Sequence, residues 1–185
     1  MDTPAPPAPA PPIAALRLDL AHAPAEDRLA LTVVGEGGRA AVFALTRRLT
    51  RLLAARLVHI LMESSAEVGR AAAAHREDVL LFEHLAVTAA GQGDAAAAPA
   101  PPLPAGIPSA GLLVRIDLQG GPAGLSLRLF GADGTEATLV LGRQQIHRML
   151  GVLAAKAREA EWDLGELAWF DRAAQVVVPA GTLLS

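Results

Sequence analysis

The sequence contains no cysteine and no tyrosine, and its 185 residues include only two tryptophans, four phenylalanines and one lysine. Without cysteine the chain has no disulfide framework, no thiolate nucleophile and no zinc–thiolate site. The scarcity of aromatic residues leaves few side chains on which nucleic-acid bases could stack. Because much of the 52% hydrophobic content is alanine, the core volume must come mainly from Leu, Val and Ile.

The chain also lacks a strong excess of charge, since 16 Lys and Arg face 19 Asp and Glu, for a net charge of −3. This balance argues against a surface adapted throughout to nucleic acid or to an anionic membrane. No apolar run reaches the roughly 18 residues of a transmembrane helix, and the N-terminus lacks the pattern of a signal peptide. We therefore expect a cytoplasmic protein that does not enter the membrane. The preference for Ala, Arg, Gly and Pro over Lys indicates a GC-rich bacterial gene.

What the sequence does contain is a long internal repeat. Residues 16–20 read Leu-Arg-Leu-Asp-Leu, and residues 114–118 read Val-Arg-Ile-Asp-Leu. Farther on, residues 29–57 align with residues 125–153 without a gap, and the glycines of two candidate hairpin turns stay in step. A repeat of this length indicates a fold built from two similar units.

Each unit is predicted to contain three strands followed by a helix, because alternating apolar residues are separated by turn signals. The predicted strands span residues 13–21, 29–34 and 40–45 in the first unit, and 112–118, 125–130 and 137–141 in the second. Thr46 is a candidate N-cap for the first helix, which carries an apolar face from Leu49 to Leu61. The second helix is predicted over about 143–160.

These elements divide the chain into four predicted segments. They are a Pro/Ala tail at 1–12, a first unit with an extra helical stretch at 13–90, a Gly/Ala/Pro linker at 91–110, and a second unit at 111–185. The second unit is predicted to end in a closing strand at 175–178. One unit cannot bury both its helix and its sheet face alone, whereas two units around an approximate twofold axis can. We therefore predict an α+β fold in which tandem duplicated βββα units form antiparallel sheets with packed helices.

The repeat also places basic residues at matching positions of the two helix starts. These residues are Arg47, Arg51, Arg143, His147 and Arg148. Cations at a helix N-terminus face the positive end of the helix dipole, so another interaction should compensate for them. One interpretation is a duplicated site for an anion or a nucleic-acid phosphate. The interpretation we favour is ion pairing with Asp19 and Asp117, which the repeat also duplicates, or with solvent-exposed carboxylates.

No motif for catalysis, for a metal or for a cofactor stands out. Asp19 and Asp117 lie on the polar side of alternating strands, and alternation alone explains them. His59 and Glu63 have the helical spacing of a ligand pair, but two ligands do not make a metal site. The glycine-rich loop after residue 34 leads from strand to strand, whereas a dinucleotide-binding loop leads into a helix. We therefore predict no enzymatic activity, no cofactor and no metal.

The composition and the repeat predict a non-enzymatic binding or assembly module whose partner is a protein, foremost a second copy of itself. We expect the contact surface on the apolar side of the helices, where large residues exceed what one sheet face can cover. These residues are Leu53, Leu57, Ile60, Leu61, Val79, Leu80 and Phe82. The alternative is an anion or single-stranded nucleic-acid binder that uses the duplicated arginine positions.

Overall fold

The computed structural model describes residues 10–94, 102–121 and 124–165, and of residues 91–94 only the backbone. The chain divides into a barrel unit, Met1–Leu49 with Ala100–Arg143, and a helical unit, Thr50–Pro99 with Gln144–Ser185. The described residues form six strands and four α-helices, so the predicted α+β class is confirmed. The elements are β1 (Ile13–Ala23), β2 (Arg28–Gly35), β3 (Ala40–Leu45), α1 (Arg47–Ser64), α2 (Ala66–Arg70), α3 (Arg76–Asp94), β4 (Ser109–Gly121), β5 (Gly124–Gly131), β6 (Glu136–Leu141) and α4 (Arg143–Glu159).

The strands form where apolar and polar residues alternate, because successive side chains of a strand point to opposite faces. Along β2 the buried apolar residues are Leu29, Leu31 and Val33, and β5 buries every second residue in the same way. Phe43, at the centre of β3, has no exposed surface. These side chains make up the apolar core of the barrel unit.

The six strands close a barrel in the order β1-β2-β3-β4-β5-β6. The pairs β1–β2, β2–β3, β4–β5 and β5–β6 are antiparallel. By contrast, β1 pairs with β6 and β3 pairs with β4 in parallel, over two residue pairs each. We call these two junctions the parallel seams. The prediction of purely antiparallel sheets is wrong at the seams. Three antiparallel strands in a row leave two edge strands with unpaired backbone groups, and closure into a barrel joins those edges.

The helices begin and end at residues with recognisable capping chemistry. The Thr46 hydroxyl oxygen accepts a hydrogen bond from the Leu49 amide at 3.2 Å, which confirms the predicted N-cap of α1. The Ser65 hydroxyl oxygen accepts from the Val68 amide at 3.1 Å and caps α2. The extra helical stretch predicted at the end of the first unit is therefore two helices, because the chain leaves the helical path between α2 and α3.

Some predicted boundaries shift and others fall outside the described part of the chain. Helix α3 continues to Asp94 and β4 begins at Ser109, so the predicted linker is shorter at both ends. The start of the Pro/Ala tail, residues 95–101 of the linker and the predicted strand at 175–178 lie outside the described residues. No helix in the described ranges is both long and apolar enough to span a membrane.

The apolar helix residues are mostly covered within the chain itself. Leu53, Leu57, Leu61 and Leu80 are buried, and of the predicted contact residues only Phe82 is largely exposed. The prediction that the helices present a broad apolar contact surface is therefore wrong for these four leucines. Their burial removes them as contact residues because a side chain already withdrawn from water gains little by meeting a partner.

Candidate functional site

Two bulges interrupt the long strands β1 and β4. The β1–β2 register passes from Ala15 opposite Gly35 to Arg17 opposite Val34, so Leu16 is an extra residue. The β4–β5 register shifts in the same way, and there Val114 is the extra residue. A bulge re-aims the side chain of its extra residue. These two apolar side chains are 72% and 60% exposed, respectively.

Further exposed apolar side chains lie along the parallel seams. At the β1–β6 seam, Ala14 pairs with Thr138. Leu16 lies two residues after Ala14, and the exposed Val140 lies two residues after Thr138. At the other seam the exposed Leu112 pairs with β3 and lies two residues before Val114. We call Leu16 with Val140 the first seam patch and Leu112 with Val114 the second seam patch. Single exposed leucines are ordinary, but grouped apolar side chains on a surface mark contact sites.

A short ion pair lies beside each bulge. The Arg17 Nε lies 2.6 Å from Asp19 Oδ2, and the Arg115 Nε lies 3.3 Å from Asp117 Oδ1. The arginine and the aspartate of each pair are two positions apart on the same face of one strand. They can therefore reach each other without any contribution from the tertiary structure. The structure therefore pairs both carboxylates with strand arginines, which corrects the interpretation that paired them with arginines at the helix starts.

On the outer face of the barrel, Arg115 is also stacked on an aromatic ring. Its guanidinium carbon lies 3.7 Å from the centroid of Phe130, and that of Arg128 lies 5.2 Å from the same centroid. Arg128 in turn pairs with Glu136 at 3.0 Å. Such cation–π contacts hold a guanidinium in place. The exterior of β4, β5 and β6 thus carries a connected row of charged side chains.

A cavity of about 590 Å³ lies at the end of the barrel, where the β2–β3 and β5–β6 hairpins contribute to its wall. Arg39 in this wall donates hydrogen bonds to the carbonyl oxygens of Pro11 and Pro12. Asp133 accepts hydrogen bonds from the amide and the hydroxyl of Thr135, at 2.8 and 2.9 Å. These polar groups therefore serve to hold the segment before β1 and the second hairpin in place.

The helical unit contains a polar cluster in which Ser65, His84 and His147 are buried and Glu83 is partly exposed. The Ser65 hydroxyl donates to Glu83 Oε1 at 2.7 Å, and Glu83 Oε2 lies 3.6 Å from His147 Nε2. The rings of His84 and His147 lie 5.7 Å apart between centroids. Burial, with a smaller contribution from the charge of His147, lowers the pKa of His84 to about 4. Burial thus keeps His84 neutral at pH values between 6.5 and about 4, where an exposed histidine is protonated.

The structure distributes the five predicted anion-binding positions over both units. Arg47 and Arg143 belong to the barrel unit, and the other three belong to the helical unit. Arg47, Arg51 and Arg148 are exposed, and Arg143 is half-buried. His147 is 1% exposed and lies in the polar cluster with Glu83 and His84. An anion site at the arginines stays a prediction.

His59 and Glu63, considered as a metal-ligand pair, lie on the surface of α1. His59 Nε2 is 3.2 Å from Glu63 Oε1, and both side chains are more than half exposed. Within the described ranges, no group of three or more His, Cys, Asp or Glu is placed to hold a metal ion.

The sequence reasoning missed the two bulges and the participation of Glu83 and Ser65 in the polar cluster. Strict alternation through residues 16–20 hides an extra residue, because a bulge is visible only from the register with the neighbouring strand. The one sequence signal for the cluster is that His84 on α3 and His147 on α4 are polar residues that lie among apolar residues of their helices. Only the packing of the helices within their unit joins them.

The pairing of Asp19 with Arg17 predicts the outcome of a double-mutant cycle. Asp19→Lys should not rescue Arg47→Glu, and the coupling free energy between these sites should stay below about 0.5 kcal/mol. Urea denaturation of the four chains measures this coupling. The matched cycle on Arg17 and Asp19 should give a larger coupling, up to about 1 kcal/mol for a partly exposed pair. Rescue of Arg47→Glu would instead support the pairing predicted from the repeat.

Comparisons with known proteins give no assignment. No protein-family model matches the chain, and neither a curated protein nor a solved structure matches it.

Proposed function

We propose that this protein is a non-enzymatic binding module that associates with protein, foremost with a second copy of itself, through the seam patches of its barrel. The observation that carries the proposal is the exposure of Leu16 and Val114 at the two bulges. Burial of apolar surface is the dominant favourable term in protein association. Full burial of one such side chain contributes about 1.5–3 kcal/mol. Burial of both patches in one interface would therefore contribute favourable free energy to self-association, which opposes the lost translational and rotational freedom of the two copies.

We propose in addition that the barrel is a tandem duplication of one βββα unit, with its copies related by an approximate twofold axis. In the first half Leu29 pairs with Leu45, and in the second half Leu125 pairs with Leu141. Both second-half residues lie 96 positions after their counterparts, as in the ungapped sequence alignment. The two bulges are a further correspondence. A duplication would supply each chain with two related contact surfaces rather than one.

The proposal predicts a mass above the 19.0 kDa of one chain when the protein is measured by light scattering at micromolar concentration. The double variant Leu16→Asp/Val114→Asp should have the mass of one chain, because charged side chains resist burial in an interface. Phe82→Asp is the matched control, since Phe82 is 69% exposed but lies in the helical unit. The Phe82→Asp chain should therefore show the same mass in solution as the wild type.

Two outcomes would contradict this proposal. The first is a wild-type chain that stays monomeric over the whole concentration range, and the second is a double variant that associates as the wild type does. The exposed arginines at the start of α1 support the alternative of anion or single-stranded nucleic-acid binding. A labelled single-stranded oligonucleotide tests it directly, because such binding should weaken steeply as the salt concentration rises.

A further inference from the structure

Strand β4 has one long edge that no strand of the described residues covers. It runs to Gly121, but its ladder with β3 contains only the pairs at Ser109 and Leu112. On its other edge β5 accompanies it from Leu113 to Gly121. The β3-facing edge beyond Leu112 thus presents backbone donors and acceptors with no strand partner in the described part of the chain. Such an edge is a template for pairing with another chain.

The side chains along this edge form a pattern that is complementary to itself. Residues 114–118 read Val-Arg-Ile-Asp-Leu. When two copies of this segment run antiparallel and centre on Ile116, each Arg115 lies opposite Asp117 of the second copy. Ile116 then lies opposite its own counterpart, and both residues of this pair are apolar. The directly opposed pairs formed by residues 115–117 are therefore of opposite charge or apolar, which are the pairings that stabilise antiparallel strands.

We infer that two copies of this protein pair edge to edge through β4, antiparallel and centred on Ile116. The inference rests on the proposed self-association and names its partner and its register. The second copy is the occupant because the palindromic order of charges matches its own sequence and has no significance for an unrelated strand. Symmetric use of one surface by both copies is also the commonest interface among homo-oligomers.

The surroundings of β4 favour it over β1, which carries a similar Arg-x-Asp pattern. The side chains of Arg115 and Asp117 are 60% and 47% exposed, against 28% and 36% for Arg17 and Asp19. Arg115 is further held over the Phe130 ring, 3.7 Å from its centroid, so little freedom is lost when it meets a carboxylate. Val114 joins this edge to the second seam patch, which makes the two surfaces continuous.

Charge changes on the full-length chain test the register. Arg115→Asp should raise the dissociation constant of the self-associated protein about tenfold, because two opposite-charge pairs become two like-charge pairs. Asp117→Arg should have the same effect. A mixture of the Arg115→Asp chain with the Asp117→Arg chain should associate as tightly as the wild type, within about twofold, since each cross pair is again of opposite charge. Sedimentation velocity over a dilution series measures the dissociation constants of the two single variants and of their mixture.

The double exchange Arg115→Asp/Asp117→Arg is a further control. It should also restore association, because residues 115 and 117 of the two copies again carry opposite charges. The same exchange at Arg17 and Asp19 should leave the dissociation constant unchanged. Thermal unfolding of each chain separates a loss of association from a loss of folding. If the wild type associates but the mixed chains remain as weak as each chain alone, pairing through β4 is wrong, and the seam-patch proposal still stands. A monomeric wild type would overturn both.

Cross-linking gives an independent test, since the natural chain has no cysteine. Residues that directly oppose each other across antiparallel strands have Cβ atoms about 4.5–5.5 Å apart, close to what a disulfide requires. Under mild oxidation Ile116→Cys should therefore form a covalent dimer. Leu118→Cys is the matched control, because two residues at position 118 would lie four strand positions apart and should not cross-link. Equal cross-linking of both variants would contradict the register.

Discussion

Gly131→Ala should destabilise the protein by about 1–3 kcal/mol, the range observed when a side chain is forced into a well-packed position. A Cβ atom at Gly131 would lie 2.6 Å from the carbonyl oxygen of Ala110 and 2.9 Å from its Cβ. Ala110 is fully buried in β4, so its backbone cannot move aside without disturbing the barrel. Close approach of two strands, rather than an unusual backbone conformation, requires glycine here.

Gly35 meets the same constraint at the end of β2. A Cβ there would lie 2.6 Å from the carbonyl oxygen of Ala14 and 2.7 Å from Cγ2 of Ile13. Gly35→Ala should therefore cost a similar free energy. Urea denaturation measures the loss of unfolding free energy in both variants. In a chain of this size, each kcal/mol of lost unfolding free energy should lower the melting temperature by about 2–4 °C.

Gly69→Ala is the matched control for these two substitutions. Gly69 lies within α2, and a Cβ at that position would meet no atom within 4 Å. Because alanine is favoured over glycine inside helices, this change should stabilise the chain by roughly 0.5–1 kcal/mol. A Gly131→Ala chain as stable as the wild type would show that β4 and β5 do not approach as closely as described.

Acidification should weaken the folded state through His84. Burial lowers the pKa of His84 from 6.5 to about 4, so between these values the unfolded chain binds a proton that the folded chain does not. The contribution of this histidine is therefore fully present above pH 6.5 and is lost progressively as the pH falls towards 4. Its slope can reach about 1.4 kcal/mol per pH unit. Below the folded pKa both states are protonated and the slope from His84 vanishes.

The comparison of the wild type with His84→Gln isolates this effect from the titration of carboxylates. Urea denaturation at several pH values between 7 and 4 should show a steeper loss of unfolding free energy in the wild type than in the variant. His59→Gln is the control, because His59 is exposed on α1, and it should keep the wild-type slope. Identical slopes for wild type and His84→Gln would mean that His84 is not held neutral. Ser65, Glu83 and His147 remain unchanged in both chains.

Strands and caps were the most predictable parts of this fold. The bounds of β3 match the prediction at both ends, and those of β2 and β5 differ by one residue at each end. Here alternation and flanking turn residues act within a few positions, so the signal is local. The N-cap of α1 was predictable for the same reason, since Thr46 bonds an amide only three residues away.

The candidate contact surfaces were much less predictable. Leu16 reads as a core residue because it continues the alternation of β1, yet the bulge turns it to the exterior. His147 reads as a helix-start cation, yet it is buried beside Glu83 and His84. Both outcomes depend on a neighbour remote in the chain. The ladder partners Ile13 and Ala137 show the same dependence at the β1–β6 seam.

The sequence by itself determined the α+β composition, the order of strands and helices, the hairpin turns and the alternating core residues. These follow from periodicity, capping and turn chemistry, which act over a few residues. Only the tertiary structure decided that the edge strands close a barrel through two parallel seams, which residues form the bulges, and which strands keep an open edge beyond the seams. These features depend on which distant strands come together and in which register, and local patterns do not encode that choice.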